Sequence, residues 1–318
     1  MIYLGVDIGG TSVKMGLVNE KGEIINKTSF KTAKDTNQLI EDINANMEEL
    51  KKEAKIDFIS GIGIGCPGAI DSKKGIVNMA YNLGWEDVHL KELLEKRTGL
   101  EVRLSNDANV AGLGETIYGK GQGHKNVIVI TLGTGVGSAI IIDGKLYEGN
   151  ESKGAEIGHT ILVKNGRKCT CGRRGCAEAY LSATKFLREA RHYAMHSDGL
   201  LSKEIVNGDI HLIKCEQVYK CADDGDEGAK KIVDKYIDYL GEFTLNLCNI
   251  FRPEMIIFGG GMSYSGNIFI DKLVDYCKVR NYGFENTPVV KLTTAKLKND
   301  AGLIGGACLF LDTDKMEW

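Results

Sequence analysis

The sequence predicts an α/β protein of two lobes built on one plan, and three observations predict it. The 318 residues exceed the span over which one hydrophobic core keeps growing, so two domains of ordinary size are expected. A strand pattern that ends in a threonine- and glycine-rich turn and runs straight into a second strand occurs around Gly9 and again around Gly133, as an internal duplication would produce. Segments with apolar residues at helical spacing lie between the strand patterns.

The elements follow in order. Residues 2–8, 14–19 and 23–30 are β-rich runs separated by Gly9-Gly10-Thr11 and by Glu20-Lys21-Gly22, which predicts a three-stranded antiparallel meander. Residues 36–54 carry Leu39, Ile43, Met47 and Leu50 at helical spacing, and 58–65 reads as a buried strand before Pro67-Gly68. A strand over 102–104 leads through Asn106 and Asp107 into a helical segment, so Asp107 is expected at a helix N-terminus at the lobe junction. The second copy begins with a strand over 126–132, a break at Gly133-Thr134-Gly135-Val136-Gly137, a strand over 138–142 and a turn at Asp143-Gly144. Helices are expected over 177–190 and 228–251, then a strand over 255–258 and a turn at Gly259-Gly260-Gly261. The last segment, 300–311, reads as a helix capped by Asp300, with Gly302, Gly305 and Gly306 weakening it. The expected division is a first lobe over 1–117 and a larger one over 118–299. The C-terminal helix, over about 300–318, has packing on the first lobe as one option.

Composition narrows the function classes. Forty basic and 43 acidic residues are interspersed for a net charge of −3, which offers no single-sign field to nucleic acid or to an anionic membrane. Asp7 interrupts the only apolar stretch near the N-terminus, no apolar run approaches the roughly 18 residues a membrane helix needs, and a cytoplasmic protein is expected. The nine cysteines are odd in number and mostly scattered through apolar segments, where Cys66, Cys248 and Cys308 read as small buried hydrophobes.

Two Gly/Thr turns after strands supply unobstructed backbone N–H groups and hydroxyls, which is what a polyphosphate needs where no G-x-x-x-x-G-K-[ST] run exists. Gly133-x-Gly135-x-Gly137 does not fit a dinucleotide fingerprint, because that motif must open a helix and a strand follows here. Taken alone, each glycine turn is more often an ordinary hairpin, and a turn cap is the alternative for Asp7; their conjunction carries the argument. His159, Cys169, Cys171 and Cys176 place four soft or borderline ligands within eighteen residues, enough for a closed tetrahedral zinc site, with a reactive or disulfide pair as the alternative.

Asp7-Ile8-Gly9-Gly10-Thr11 with Lys14, and Leu132-Gly133-Thr134-Gly135-Val136-Gly137, resemble the two phosphate motifs of the sugar kinase, heat-shock chaperone and actin superfamily. Gly259-Gly260-Gly261 is similar to its adenosine-side turn. Glu156-Ile157-Gly158-His159 followed by Cys169-x-Cys171-Gly172-x-x-Gly175-Cys176-x-Glu178 resembles the signature of the ROK family (repressors, open reading frames, kinases), and the resemblance spans essentially the whole chain.

That resemblance implies two homologous actin-like ATPase (ribonuclease H-like) lobes with a cleft between them, and a glucokinase-type enzyme acting on ATP and a hexose. It implies that Asp7 holds Mg²⁺ through water and that Gly9, Gly10, Thr11, Lys14, Thr131, Gly133, Thr134 and Gly135 lie at the phosphates. Gly259, Gly260 and Gly261 would lie at the adenosine. His159, Cys169, Cys171 and Cys176 would hold a structural Zn²⁺. Asp107 would be the general base toward the sugar 6-hydroxyl, and Gly68, Asn82, Asn106, Asp107, Glu156, His159 and Glu178 would contact the sugar. His159 can serve metal and sugar together, one ring nitrogen for each. Read without the family, Asp107 is a helix cap and Glu178 a solvent-facing helix residue.

A homodimer is also implied. Fructokinase and kinases of N-acetylated hexosamines or N-acetylmannosamine remain alternatives, because one hydroxyl or acetamido contact decides between them. From other classes stand a sugar-responsive regulator and a binding protein or ATPase on the same fold. The regulators carry an N-terminal helix-turn-helix, whereas the first strand is expected from Ile2. Lys153 and Ala177 depart from the residues usual at those positions.

Overall fold

The computed structural model describes residues 1–205, 208–283, 286–288, 290–311 and 313–315. The chain divides into two units, one of Met1–Val129, Ala139–Ala155 and Lys296–Trp318, the other of Ile130–Ser138 and Glu156–Ala295.

In the first unit, β1 (Ile2–Ile8), β2 (Ser12–Asn19) and β3 (Ile24–Lys31) form the expected antiparallel meander, and Asp7 lies opposite Lys14 in the β1/β2 register. Helix α1 (Thr36–Ala54) starts where the Asp35 side chain accepts the Gln38 amide, and it buries Leu39, Ile43, Met47 and Leu50. β4 (Ile62–Cys66) is buried along its whole length, as expected of a strand covered on both faces. It begins later than residue 58: Phe58 is 70% exposed, and the chain joins the sheet only where Ser60 donates to the Ile2 carbonyl. Three short strands, β5 (Ala69–Asp71), β6 (Ile76–Ala80) and β7 (Trp85–Val88), make a small antiparallel sheet, followed by α2 (Leu90–Thr98). β8 (Val102–Asn106) then passes directly into α3 (Asp107–Ile117).

The first sheet has the order β3-β2-β1-β4-β8, with β1, β4 and β8 parallel. Asp7 pairs with Gly65, Gly65 with Ser105, and Cys66 with Asn106, so Asp7 and the Asn106-Asp107 turn share the carboxyl ends of neighbouring parallel strands. That edge of an open α/β sheet is where ligands bind.

The second copy supplies β9 (Val127–Leu132), β10 (Val136–Ile142) and β11 (Lys145–Leu146). Strand β10 already includes Val136 and Gly137, so the glycine turn is shorter than the sequence suggests. Helices α4 (Glu178–Leu181), α5 (Ala183–Met195), α6 (Cys215–Asp223) and α7 (Glu227–Phe251) precede β12 (Met255–Gly259), α8 (Gly266–Lys278) and β13 (Lys291–Thr294). The single helix expected over 177–190 is broken at Ser182, whose extended backbone (φ −63°, ψ 141°) and side-chain acceptor for the Lys185 amide start α5 afresh. The second sheet has the order β11-β10-β9-β12-β13, which reproduces the first with β12 and β13 in the places of β4 and β8. The repeated plan is the internal duplication read from the two glycine turns.

The chain returns to the first unit with α9 (Ala301–Cys308). Asp300 stands at its N-cap position as expected, but its side chain makes no capping hydrogen bond: the residue ends a short 3₁₀ turn over Lys298–Asp300, and its carboxylate takes the Lys27 ammonium at 2.8 Å. The helix ends at Cys308, and residues 312 and 316–318 of the expected longer helix lie outside the described residues. Its glycines serve packing: a Cβ on Gly305 would lie 1.8 Å from the Val110 carbonyl oxygen, and one on Gly306 2.5 Å from that of Gly63. The backbone of α9 thus lies directly on α3 and β4, and a helix poor in propensity is held by contact. Among the described residues no helix is long and apolar enough to cross a membrane.

Candidate active site

In the first unit the site grows from the carboxyl ends of β1 and β8. The turn after β1 is closed by the Gly9 amide donating to the Ser12 carbonyl at 2.9 Å, and the Thr32 hydroxyl donates to the Gly9 carbonyl at 2.6 Å. The Thr11 carbonyl accepts the Thr32 amide at 3.1 Å, which fixes the turn to the start of the next segment. Gly10 faces Asn82, whose Cβ would stand 3.3 Å from a Cβ at Gly10, so the turn and the Asn82 loop are neighbours. Lys14 reaches the Asp7 carboxylate at 4.0 Å. Burial raises the Asp7 carboxyl above its ordinary value, Lys14 opposes the rise, and the Asp107 charge adds to it.

The Asn106-Asp107 turn is organised by its own hydrogen bonds. Asn106 caps α3 by accepting the Ala108 amide at 2.9 Å and donates to the Gly68 carbonyl at 3.1 Å. Gly68 is held at φ +106°, and a Cβ there would lie 2.1 Å from the Met79 carbonyl oxygen, so no other residue fits. Asp107 also accepts the Ala108 amide, at 2.8 Å, and keeps surface open to solvent. Protein nevertheless surrounds it on most sides, and the lost hydration raises its carboxyl above the usual range, against the pull of the Ala108 amide. The structure therefore brings Asp7, Gly10, Gly68, Asn82, Asn106 and Asp107 into one region of this unit.

In the second unit the glycine turn, the cysteine loop and α4 meet. The Gly133 amide donates to the Gly135 carbonyl at 3.0 Å, closing the turn around Thr134. The Glu178 carboxylate accepts the Val136 amide at 3.2 Å on one oxygen and the Thr170 hydroxyl at 3.0 Å on the other. Glu178 thus couples the turn to the cysteine loop, a link that motif reading alone does not show. At Gly260, held at φ +77°, an added Cβ would lie 2.5 Å from the Leu132 carbonyl oxygen, and Gly259 lies beside Thr131. The Glu156 carbonyl accepts the His159 amide at 3.1 Å in a single 3₁₀ turn over Ile157–His159.

His159, Cys169, Cys171 and Cys176 offer ligand atoms that all lie within 4.8 Å of one another. The Cys171 and Cys176 sulfurs are 3.7 Å apart, as are Cys169 Sγ and His159 Nδ1. A tetrahedral ion with Zn–S bonds of about 2.3 Å requires sulfurs about 3.8 Å apart, so the donor set fits zinc in type and spacing. Backbone hydrogen bonds also shape the loop: the Cys169 amide donates to the Arg173 carbonyl at 2.9 Å and the Gly175 amide to that of Arg167 at 2.8 Å. The Arg173 amide holds the Cys171 thiol below its ordinary value, while burial pushes the neighbouring Cys176 thiol up to about 12. All nine cysteines are free, and Cys66, Cys248 and Cys308 are buried as expected.

Sequence reasoning missed Glu148, on the segment after β11, with Ser72, Ser105 and Asn109 around its carboxylate. No motif marks it, because these partners are far apart in sequence.

The ROK family model matches residues 3–313. Two curated relatives are similar throughout: a glucokinase of Halalkalibacterium halodurans, 37% identical over 96% of this chain and 94% of its own length, and one of Thermotoga maritima, 36% identical over 96% of each. Among solved structures, a ROK family glucokinase from Streptomyces griseus in complex with glucose and AMPPNP is 34% identical, with a TM-score of 0.81 over 97% of this chain and 99% of that one.

Proposed function

The chain belongs to the ROK family and has its two-lobed actin-like ATPase fold, and from that premise we propose that it transfers the γ-phosphoryl group of ATP to the 6-hydroxyl of glucose. The observation that carries the reading is similarity over nearly the whole chain, at 34–37% identity, to two glucokinases and to a third solved with glucose and an ATP analogue together. The Asp107 carboxyl supports it, being open to solvent, fixed at the start of α3 and raised toward the range of a useful base.

In this mechanism Gly68, Asn82, Asn106, Glu156, His159 and Glu178 orient the sugar. Asp107 accepts the 6-hydroxyl proton as O6 attacks the γ-phosphorus in line, and the bond to the β,γ-bridging oxygen breaks to release ADP. The Gly9-Gly10-Thr11 and Gly133-Thr134-Gly135 turns, with Lys14 and Thr131, offer N–H, hydroxyl and ammonium groups to the phosphates. Gly259, Gly260 and Gly261 offer side-chain-free backbone to the adenosine. Mg²⁺ would neutralise charge on the β- and γ-phosphates, and Asp7 suits it because its nearest cation, Lys14, stays 4.0 Å away. His159, Cys169, Cys171 and Cys176 would hold zinc in a purely structural site, since four protein ligands leave no position for a reacting water. We place the enzyme in the cytoplasm as a homodimer, which light scattering of the purified protein checks.

ADP release from Mg-ATP across glucose, fructose, mannose, N-acetylglucosamine and N-acetylmannosamine tests the assignment. Fastest turnover on glucose is expected. A different preferred sugar would keep the mechanism and change the substrate, and no turnover on any would favour a sugar-binding regulator.

A further inference from the structure

We infer that Glu148 is a positioning residue that clamps the Asn106-Asp107 turn to the segment leading into Glu156, an inference that rests on the reading of Asp107 as the base. One Glu148 oxygen accepts the Ser105 hydroxyl at 2.5 Å, and the other accepts the Ser72 hydroxyl at 2.7 Å. Asn109 donates to the Ser105 oxygen at 3.3 Å and reaches the same carboxylate at 3.5 Å. Ser105 is 1% exposed and Asn109 7%, so these polar groups depend on one another for partners.

Each member has a fixed direction. A carboxylate only accepts, so Ser72 and Ser105 must both donate to it. The Ser72 proton being committed, the Ser152 hydroxyl, 2.7 Å from Ser72 Oγ, is the donor of that pair. The chain of bonds runs from Ser152 through Ser72 to Glu148 on one side, and from Asn109 through Ser105 on the other. Glu148 is the sink where both halves end.

What it joins gives the clamp its use. Ser105 precedes Asn106 and Asp107 at the end of β8, and Asn109 lies in the first turn of α3. On the other side, the Glu148 carbonyl accepts the Gly154 amide at 2.7 Å and closes the loop that ends at Ala155. Within that loop Glu151, Ser152 and Ala155 hold left-handed backbone, at φ 52°, 55° and 64°. Such conformations in residues other than glycine persist only where the surroundings impose them, and they gather at functional sites. Through Glu148 and Ser152 this segment and the turn that carries Asp107 share one hydrogen-bonded fixture.

The test compares Glu148→Ala, Glu148→Gln, Ser105→Ala and the double Glu148→Ala/Ser105→Ala variant with the wild type, by steady-state kinetics and by amide hydrogen exchange. Misplacement of a catalytic group costs on the order of 10-fold to 100-fold in turnover. Glu148→Ala should therefore lose kcat in that range with the ATP KM kept. Glu148→Gln should recover most of the loss, because its amide still accepts from Ser105. The double variant should lose no more than the worse single one. Amides of residues 108–110 should exchange at least ~10-fold faster in Glu148→Ala, a readout that needs no turnover and so separates failure of the clamp from failure of the kinase reading. Wild-type exchange at those amides, or a kcat unchanged in Glu148→Ala of an active enzyme, would overturn the inference.

Discussion

The Glu178 carboxylate accepts the backbone N–H of Val136 at 3.2 Å, across 42 residues of sequence. Its other oxygen accepts from Thr170 and lies 3.5 Å from Cys169 Sγ, so a single side chain ties the second glycine turn to the cysteine loop. The residue expected at the sugar is also a structural joint between phosphate turn and metal loop.

Removing that joint has a defined cost. Val136 is 5% exposed, and Glu178→Ala leaves its amide without this acceptor, a loss of about 1–3 kcal/mol. A lower urea midpoint and a raised KM for ATP are expected, with Glu178→Gln much milder. Equal midpoints and equal KM values in Glu178→Ala and wild type would refute the joint.

The proposed role of Asp107 fixes an expected pH dependence. A general base must be deprotonated, and loss of hydration raises the Asp107 carboxyl, so activity is expected to fall as pH drops through a value above the ordinary aspartate range. The same shift makes ionised Asp107 a burden on the fold. The folded state holds the proton to higher pH than the unfolded chain, so stability falls as pH rises between the two values. Asp107→Asn should accordingly melt higher than wild type at neutral pH, with the gap closing in acid below the unfolded aspartate's pKa. A variant less stable than wild type at pH 7 would contradict the burial argument.

Zinc content is directly measurable. Elemental analysis of the purified protein should find one zinc per chain, and none in Cys176→Ala, whose side chain is fully buried. A chelator should lower both melting temperature and turnover, because the loop carrying His159 and the Thr170 contact to Glu178 loses its centre. Zinc-free protein with unchanged melting and kinetics would show that the four residues serve otherwise.

The glycines of α9 are a packing requirement. At Gly305 a methyl group would lie 1.8 Å from the Val110 carbonyl oxygen, so Gly305→Ala should cost at least about 1–3 kcal/mol despite alanine's better helix propensity. Equilibrium urea unfolding reads the sign: a more stable variant would mean that α9 does not lie on α3 as described.

Much of this architecture is legible before the structure, and particular residues show why. Leu39, Ile43, Met47 and Leu50 carry the α1 period, and the repeated strand–turn–strand pattern announces both sheets, because burial of one face imposes a spacing on sequence. The β5, β6 and β7 strands escape notice: β5 has three residues, and β7 places Glu86 and Asp87 at its centre. Ser182 escapes because a cap and a tolerated helix residue look alike until the backbone is seen. Asp7, Asp107 and the cysteine cluster stand out as candidates in the sequence because they sit in compact motifs. Glu148 is not, since Ser72 lies 76 positions away and Ser105 lies 43, and only the fold brings them together.

Formation of glucose 6-phosphate from glucose and Mg-ATP, by purified wild type beside Asp107→Ala, tests the central claim most directly. The expected result is wild-type turnover with phosphate on O6, and a kcat at least ~10²-fold lower in the variant while the glucose KM stays within a few-fold. Zinc-loaded, folded wild type that phosphorylates no hexose, or an Asp107→Ala variant with near-normal turnover, would contradict it.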